Sequence, residues 1–198
     1  MSCELLGALM ARPKSYQPEK VVDVALGAFW EKGFAATSLS DLMSVSGLNK
    51  RSLYNEFGNK DALFGLVLDR YIEIRSPVAK LLLKTPLGIE NIRQYLRNMA
   101  NETDDRGCLL LLSLSERSLL SEVNLQKVIS TIEELNRLIE MNVDASNLSP
   151  VVDKKSLSRL ISTQSLSIAG MGKLQLNRAD ITAVTEQFIR LLPNEMPK

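Results

Sequence analysis

Residues 37–60 read TSLSDLMSVSGLNKRSLYNEFGNK, and this stretch decides how the chain folds. Ser38, followed three residues later by Asp41, is typical of a capping box that opens a short helix. Gly47 ends that helix in a tight turn, and Asn49 is a favourable N-cap for a second short helix. Two short capped helices joined by a tight turn predict a helix-turn-helix.

The rest of the chain predicts an all-α fold of about nine helices, since no stretch alternates like a strand and the seven prolines divide helical patterns. The predicted helices cover 18–32, 38–46, 50–57, a fourth opened by Asn59 and interrupted by Pro77, then 78–84, 87–103, 107–119, 121–145, 153–175 and 178–192. We expect an N-terminal arm at 1–17, a three-helix helix-turn-helix domain at 18–64, a larger C-terminal domain at 65–192 and a tail at 193–198.

Composition argues against an enzyme. The 198 residues include no His, which excludes Ser-His-Asp and Cys-His catalysis and the commonest zinc sites. Two cysteines, Cys3 and Cys108, cannot build a disulfide scaffold or a four-thiolate metal site, and no Gly-rich phosphate loop is present. We therefore expect no catalytic residues, no metal and no cofactor.

The chain has no stretch of roughly 18 apolar residues and no basic residue before Arg12, so we expect neither a membrane span nor a secretory signal, and a cytoplasmic location. The charges nearly balance, at 24 Lys+Arg against 23 Asp+Glu, so nucleic acid would have to bind a local basic patch. Two short segments are weakly basic: 49–60 with Lys50, Arg51 and Lys60 against Glu56, and 11–20 with Arg12, Lys14 and Lys20 against Glu19.

Three segments carry a resemblance to a known family: 28–34 (AFWEKGF), 36–42 (ATSLSDL) and 46–63 (SGLNKRSLYNEFGNKDAL). Together they resemble the DNA-binding domain of the tetracycline-repressor (TetR/AcrR) family, over about residues 20–65. The resemblance implies a homodimeric one-component transcription regulator, most often a repressor, which binds a palindromic operator and is released by a small-molecule effector. It also implies that the effector moves the fourth helix and so changes the spacing of the two recognition helices, which is about 34–36 Å on DNA.

Carried over position by position, the resemblance places Ser38, Tyr54 and Lys60 on phosphates and the start of the third helix in or beside the major groove. There Arg51 suits guanine and Asn55 suits adenine. The DNA-binding residues predicted in this way are Ser38, Asn49, Lys50, Arg51, Ser52, Tyr54, Asn55 and Lys60. Ser40 and Glu56 depart from the family pattern, so we expect modest, salt-sensitive affinity, and an adaptor of this fold with weak DNA binding stays open.

A second motif, RGCLL at 106–110 with Glu116 further on, resembles a Gly-Cys-Leu motif in one subgroup of the family, in some members of which the cysteine senses electrophiles or oxidants. A thiol at a helix N-terminus favours its thiolate, and Arg106 would add to this effect. Most free cysteines instead pack as small apolar residues, so both interpretations of Cys108 stay open.

The sequence gives only a weak indication of the effector pocket, because the candidate residues would equally well belong to the hydrophobic core. They are Ile92, Tyr95, Leu96, Met99, Cys108, Leu112 and Ile132. With no conspicuous buried charge, an apolar or weakly polar effector is expected. The segment 156–172 carries one charge, Arg159, so the helices at 153–175 and 178–192 predict the dimer interface; burial within one chain is the alternative.

Overall fold

Residues 16–197 are described by a computed structural model, and their secondary structure is entirely helical, which confirms the predicted fold class. The helices of this part of the chain are α1 Pro18–Ala36, α2 Leu39–Ser46, α3 Lys50–Phe57, α4 Lys60–Ala79, α5 Ile89–Glu102, α6 Leu109–Ser115, α7 Glu122–Ala145, α8 Lys154–Gly170 and α9 Arg178–Leu191. Short 3-10 turns cover Lys80–Leu83, Arg117–Leu119 and Met171–Leu174. Most of the predicted arm, with Cys3, Arg12 and Lys14, lies outside the described residues.

The helix-turn-helix forms for local reasons. The Oγ of Ser38 accepts from the Asp41 N–H at 3.0 Å while an Asp41 oxygen accepts from the Ser38 N–H at 2.8 Å, which is the predicted capping box. Gly47 turns the chain at φ 68°, in the left-handed region. The side chains of Asn49 and Asn59 each accept from the N–H three residues on, at 2.9 and 2.8 Å, and so start α3 and α4.

Several helix boundaries differ from the sequence prediction. The first helix, predicted to end at residue 32, runs on to Ala36 across a kink at Gly33. The predicted helix 78–84 is not a separate α-helix, because Val78 and Ala79 end α4 and Lys80–Leu83 form a 3-10 turn. Instead of stopping at Pro77, α4 continues to Ala79 and contains Pro77 in its last turn. The predicted helix 107–119 ends at Ser115, where Glu116 leaves helical geometry at φ −104° and ψ 17°. The predicted helix 153–175 is regular only to Gly170 and then tightens into a 3-10 turn.

Two buried clusters share α4. The first joins α1 to α3 with the first half of α4, and in it the Phe29 and Phe64 rings meet edge to face at 4.9 Å. The second lies among α5, α7, α8 and α9 and takes Val78 from the end of α4. The domain boundary predicted between residues 64 and 65 therefore falls inside one continuous helix. Within residues 16–197, every helix is too short or too polar to cross a bilayer.

Candidate nucleic-acid interface and internal cavity

The exposed side of α3 carries most of the predicted DNA-binding residues. Leu53 and Phe57 bury the opposite side against the first cluster. The structure leaves six of the eight predicted residues exposed and two, Ser52 and Lys60, half-buried. The exposed six are Ser38, Asn49, Lys50, Arg51, Tyr54 and Asn55. Positions 50, 51, 54 and 55 follow helical spacing, so their side chains share one face.

Some of these residues already have intramolecular partners. Ser38 and Asn49 hold helix N-termini through their side chains, as described above. The Nζ of Lys50 lies 5.8 Å from the centroid of the Tyr54 ring, so the two side chains lie side by side along α3. The face therefore presents a cation and a phenol hydroxyl together.

Lys60 begins α4 with its Nζ 4.5 Å from the centroid of the Phe34 ring. Partial burial lowers the pKa of Lys60, while the charges of Glu116 and Asp41 oppose that change. Asp41 itself pairs with Lys32, Nζ to Oδ1 at 2.6 Å. This hydrogen bond, together with those from Ser38, holds the pKa of the Asp41 carboxyl far below its ordinary value of 3.8.

The two departures from the family pattern differ in surroundings. The Tyr16 hydroxyl donates to Glu56 Oε2 at 2.8 Å, so this half-buried carboxylate is engaged by the residue just before α1. Ser40 is exposed on α2.

A cavity of about 410 Å³ lies between α4, α5, α7 and α8. Three of the predicted pocket residues line it: Tyr95, Met99 and Cys108. The remaining lining was not predicted and comes mainly from α4, α7 and α8. It consists of Tyr71, Ile72, Arg75, Ser76, Val78, Ala79, Ser130, Thr131, Glu134, Leu135, Leu138, Ser165, Leu166 and Ala169.

The other predicted pocket residues do not line this cavity. Ile92 and Leu96 are fully buried in the second cluster, because they lie on the α5 face that meets the neighbouring helices. Ile132 packs against the first cluster, and Leu112 is half-buried on α6. Sequence reasoning missed Arg75, although its position four residues after Tyr71 on α4 was an available signal.

The tyrosines of the cavity wall have defined partners. The Tyr71 hydroxyl donates to Cys108 Sγ at 3.6 Å, and burial raises the pKa of Tyr71 well above its ordinary value. Burial also raises the pKa of Tyr95, against the effect of its hydrogen bond with Ser165. Both phenols are therefore neutral and available as hydrogen-bonding groups at physiological pH.

Trp30 packs where the two halves of the chain meet. Its indole N–H donates to the Gly107 carbonyl at 2.9 Å, and the Arg106 guanidinium lies 3.8 Å from the ring centroid. Its ring also meets Tyr71 edge to face at 4.9 Å. Within the motif at 106–110, Arg106 and Gly107 thus contact Trp30 of α1, while Cys108 lines the cavity.

The surface predicted for dimer formation is mixed. Ile181 is buried and Phe188 is half-buried against the second cluster, so part of α9 packs within the chain. Leu160 on α8 and Val184 and Leu191 on α9 are 55%, 42% and 72% exposed. Large apolar side chains on both helices thus stay exposed in one copy of the chain.

Comparison with known proteins agrees with the geometry of the helix-turn-helix. The family model described as bacterial regulatory proteins, tetR family, matches residues 21–67. The repressor ComR of Escherichia coli (strain K12) is 47% identical over 62 residues, 31% of this chain and 30% of that protein. The repressor BdcR of the same strain is 32% identical over 105 residues, 50% of this chain and 53% of that protein. The chain thus spans about a third to about half the length of these curated relatives.

Among solved structures, a cysteine mutant of the TetR family regulator CifR, complexed with 26-bp double-strand operator DNA, superposes with a TM-score of 0.76. It is 24% identical and covers 92% of this chain and all of its own, a likeness that concerns the fold. The predicted helix-turn-helix of this type is confirmed. Residues 21–67 of this chain thus match the model of the bacterial regulatory proteins, tetR family, and the chain shares the fold of the solved CifR structure.

Proposed function

We propose that this protein is a dimeric transcriptional regulator that acts as a repressor. It binds a palindromic operator through α3, and a small molecule in the cavity releases it from the DNA. The observation that carries the proposal is the exposed face of α3, which presents Lys50, Arg51, Tyr54 and Asn55 from a capped helix-turn-helix. A short rigid helix with such a face fits the major groove, where Arg51 and Asn55 match guanine and adenine edges.

The DNA contacts divide into two classes. Ser38, Tyr54 and Lys60 are proposed to bind phosphates, which fixes position without reading sequence. Lys50, Arg51, Ser52 and Asn55 are proposed to lie in or beside the groove, with Asn49 at its edge. Because the net charge of the chain is only +1, the affinity for DNA has to come from these residues alone. Their phosphate contacts release counterions, so the affinity should fall steeply as the salt concentration rises.

Selection of preferred sites from random duplex DNA tests the proposal, with Arg51→Ala and Arg97→Ala run beside the natural protein. We expect a palindromic site, loss of preference at one base position in each half-site for Arg51→Ala, and an unchanged site for Arg97→Ala. Arg97 is the matched control because it lies on α5, outside the helix-turn-helix, and pairs there with Glu186 of α9. Absence of any enriched site at low salt, with and without cell-extract small molecules, would overturn the proposal.

Dimer formation is proposed through α8 and α9, supported by the exposed Leu160, Val184 and Leu191. In a dimer that joins α8 and α9 of two copies, these three side chains would be covered, and both α3 helices would lie on the same side of the dimer. Val184→Glu tests the surface: sedimentation should report a monomer, and affinity for a palindrome should fall to that of one half-site. A Val184→Glu dimer with unchanged affinity would place the interface elsewhere.

A thiol-sensing regulator is the second candidate, because Cys108 lines the cavity and accepts a hydrogen bond from Tyr71. In a Cys3→Ser variant, Cys108 is the remaining thiol of the chain. If it senses electrophiles, N-ethylmaleimide should label this variant within minutes and release DNA, whereas Cys108→Ser should keep its DNA. Labelling only after unfolding would assign Cys108 to packing.

A further inference from the structure

Arg75 and Glu134 are the two charged side chains among the described residues that line the cavity. Glu134 is compensated, since its two oxygens accept from Arg137 at 2.6 and 2.7 Å. Its side chain is also 55% exposed, so its charge lies largely in water. Arg75 is only 20% exposed, so its charge is less screened by water than that of Glu134.

Arg75 keeps unused hydrogen-bond donors. Only its Nη1 has acceptors within the described chain, namely the Glu102 carbonyl oxygen and Oε2, both at 3.2 Å. A guanidinium has five N–H donors in a planar fork, so Nε and Nη2 stay available. Glu102 does not line the cavity but borders a separate shallow groove against α1, so the present partner of Arg75 lies on its far side.

The charge of Arg75 reaches the two phenols of the cavity. Burial raises the pKa of Tyr71 and of Tyr95, and the Arg75 charge opposes the rise at both hydroxyls. The positive charge of Arg75 thus lies within electrostatic reach of both hydroxyls. The unused N–H donors of the guanidinium suit an anionic acceptor.

The remainder of the wall offers little to a polar molecule. The hydroxyls of Ser130 and Thr131 are used, because both donate to the Lys127 carbonyl, at 3.1 and 2.7 Å. Apolar side chains fill the space between, among them Ile72, Met99 and Leu166. A volume of about 410 Å³ falls in the range of small-ligand pockets.

We propose that the cavity binds an amphipathic organic anion, an apolar body with one carboxylate or sulfonate head, and that Arg75 receives the head. This replaces the uncharged effector expected from the sequence. It rests on the proposed function only for what binding does to DNA, because the ligand class follows from the cavity itself.

Two fluorescent probes with one carbon skeleton test the ligand class. 1-Anilinonaphthalene-8-sulfonate carries the anionic head, and N-phenyl-1-naphthylamine is the same body without it. Both are titrated without DNA into the natural protein, Arg75→Gln and Arg97→Gln. Arg97 is the matched control, an arginine of the same domain that pairs with Glu186 and does not line the cavity.

The natural protein should bind one equivalent of each probe and prefer the sulfonate by about tenfold, a factor typical of a charge-assisted hydrogen bond. Arg75→Gln should abolish that preference while binding the neutral probe within about twofold, which also shows that the cavity is intact. Arg97→Gln should change neither. Equal affinity for the two probes, equal losses in Arg75→Gln, or no saturable binding of either would overturn the proposal.

A second measurement separates this proposal from the regulator itself. The anionic probe is added to the complex with the selected operator. Release of DNA by the sulfonate but not by the neutral probe supports both. Sulfonate binding through Arg75 without DNA release keeps the ligand class and removes the effector role, whereas sequence-specific DNA binding without probe preference keeps the regulator and overturns the ligand class.

Discussion

The carboxylate of Glu116 accepts a hydrogen bond from the backbone N–H of Phe34, with Oε2 2.7 Å from the nitrogen. Its other oxygen accepts from the Ala35 N–H at 3.1 Å. Both N–H groups follow Gly33, which breaks α1 at φ 85° and so leaves them without helical partners. The side chain of Glu116, directly after α6, thus holds the two N–H groups that follow the kink in α1 and ties the two halves of the chain together.

Replacing Glu116 should therefore loosen the joint between the halves. Glu116→Ala leaves two N–H groups without an acceptor, and we expect the free energy of unfolding to fall by about 1–3 kcal/mol. Glu116→Gln keeps one acceptor and should cost less. Urea denaturation measures both, with Glu140→Ala, an exposed carboxylate of α7, as the control. Equal stability of Glu116→Ala and Glu140→Ala would mean that the contact contributes nothing.

Gly33 and Gly27 offer a matched pair on α1. An alanine at 33 would have to adopt φ 85°, and its Cβ would lie 2.9 Å from Glu116 Oε1, so Gly33→Ala should destabilise the fold by about 1–3 kcal/mol. Gly27→Ala meets nothing within 4 Å and should stabilise the helix by about 0.5–1 kcal/mol. Thermal melts of both single variants and of the double variant Gly33→Ala/Glu116→Ala separate the backbone strain at residue 33 from the collision of its Cβ with Glu116. Partial recovery in the double variant identifies the collision; a stable Gly33→Ala refutes the reasoning.

Gly65 lets α7 approach α4 closely. A Cβ there would lie 2.8 Å from Asn124 Oδ1, while Asn124 Nδ2 donates to the Asp61 carbonyl at 2.9 Å and Lys127 Nζ donates to the Gly65 carbonyl at 3.0 Å. Gly65→Ala should displace Asn124 and cost about 1–3 kcal/mol of unfolding free energy. Hydrogen exchange should show faster opening of α4 and α7 together. Unchanged exchange in both helices would contradict the expected coupling.

Lys60 and Arg51 should affect DNA binding differently. Lys60→Met keeps the apolar contact with Phe34 but removes the charge, so affinity should fall equally for all sequences and the logarithmic salt slope should decrease by about 1. Arg51→Ala should instead relax preference at one base position. Titrations at several salt concentrations on the selected site and on a scrambled site measure both effects. A sequence-dependent loss for Lys60→Met would place Lys60 on a base.

Asp41 should stay ionised in acid. Its hydrogen bond from Lys32, with those from Ser38, holds its pKa below the ordinary 3.8. Because the folded-state pKa is the lower one, the stabilisation is complete above pH 3.8 and is lost as the pH falls through the folded value. Carbon NMR of the side chain should show little protonation at pH 3, and Lys32→Met should move the titration upwards. A midpoint near 3.8 in the natural protein would contradict the contacts.

Features set by neighbours in sequence were predictable. The capping box of Ser38 and Asp41, the Asn49 cap and the turn at Gly47 each depend on a few consecutive residues, and the structure has all three. The role of Glu116 at the end of α6 was not predictable, because its carboxylate accepts from the N–H of Phe34, 82 positions away.

The cavity shows the same limit. Tyr95 and Met99 were identified among apolar residues of α5, yet Ile92 and Leu96 on that helix face the core instead. Which face of a helix borders empty space depends on how its neighbours cross it, and periodicity alone does not contain that information. Arg75 was overlooked for the same reason: its spacing from Tyr71 places the two residues on one face of α4, but the sequence does not show that this face borders the cavity.

The close approach of α7 at Gly65 offers a pivot point within α4, with Lys60 on one side of it and Arg75 on the other. If residues 60–75 move as a rigid rod about Gly65, the arm to Arg75 is about 15 Å and the arm to Lys60 about 7 Å, at 1.5 Å of rise per residue. A ligand that draws Arg75 sideways by about 2 Å would then swing Lys60 by about 1 Å in the opposite direction. In a rigid-rod motion of this kind, the position of Gly65 along α4 would fix both the direction and the ratio of the displacements at Arg75 and Lys60.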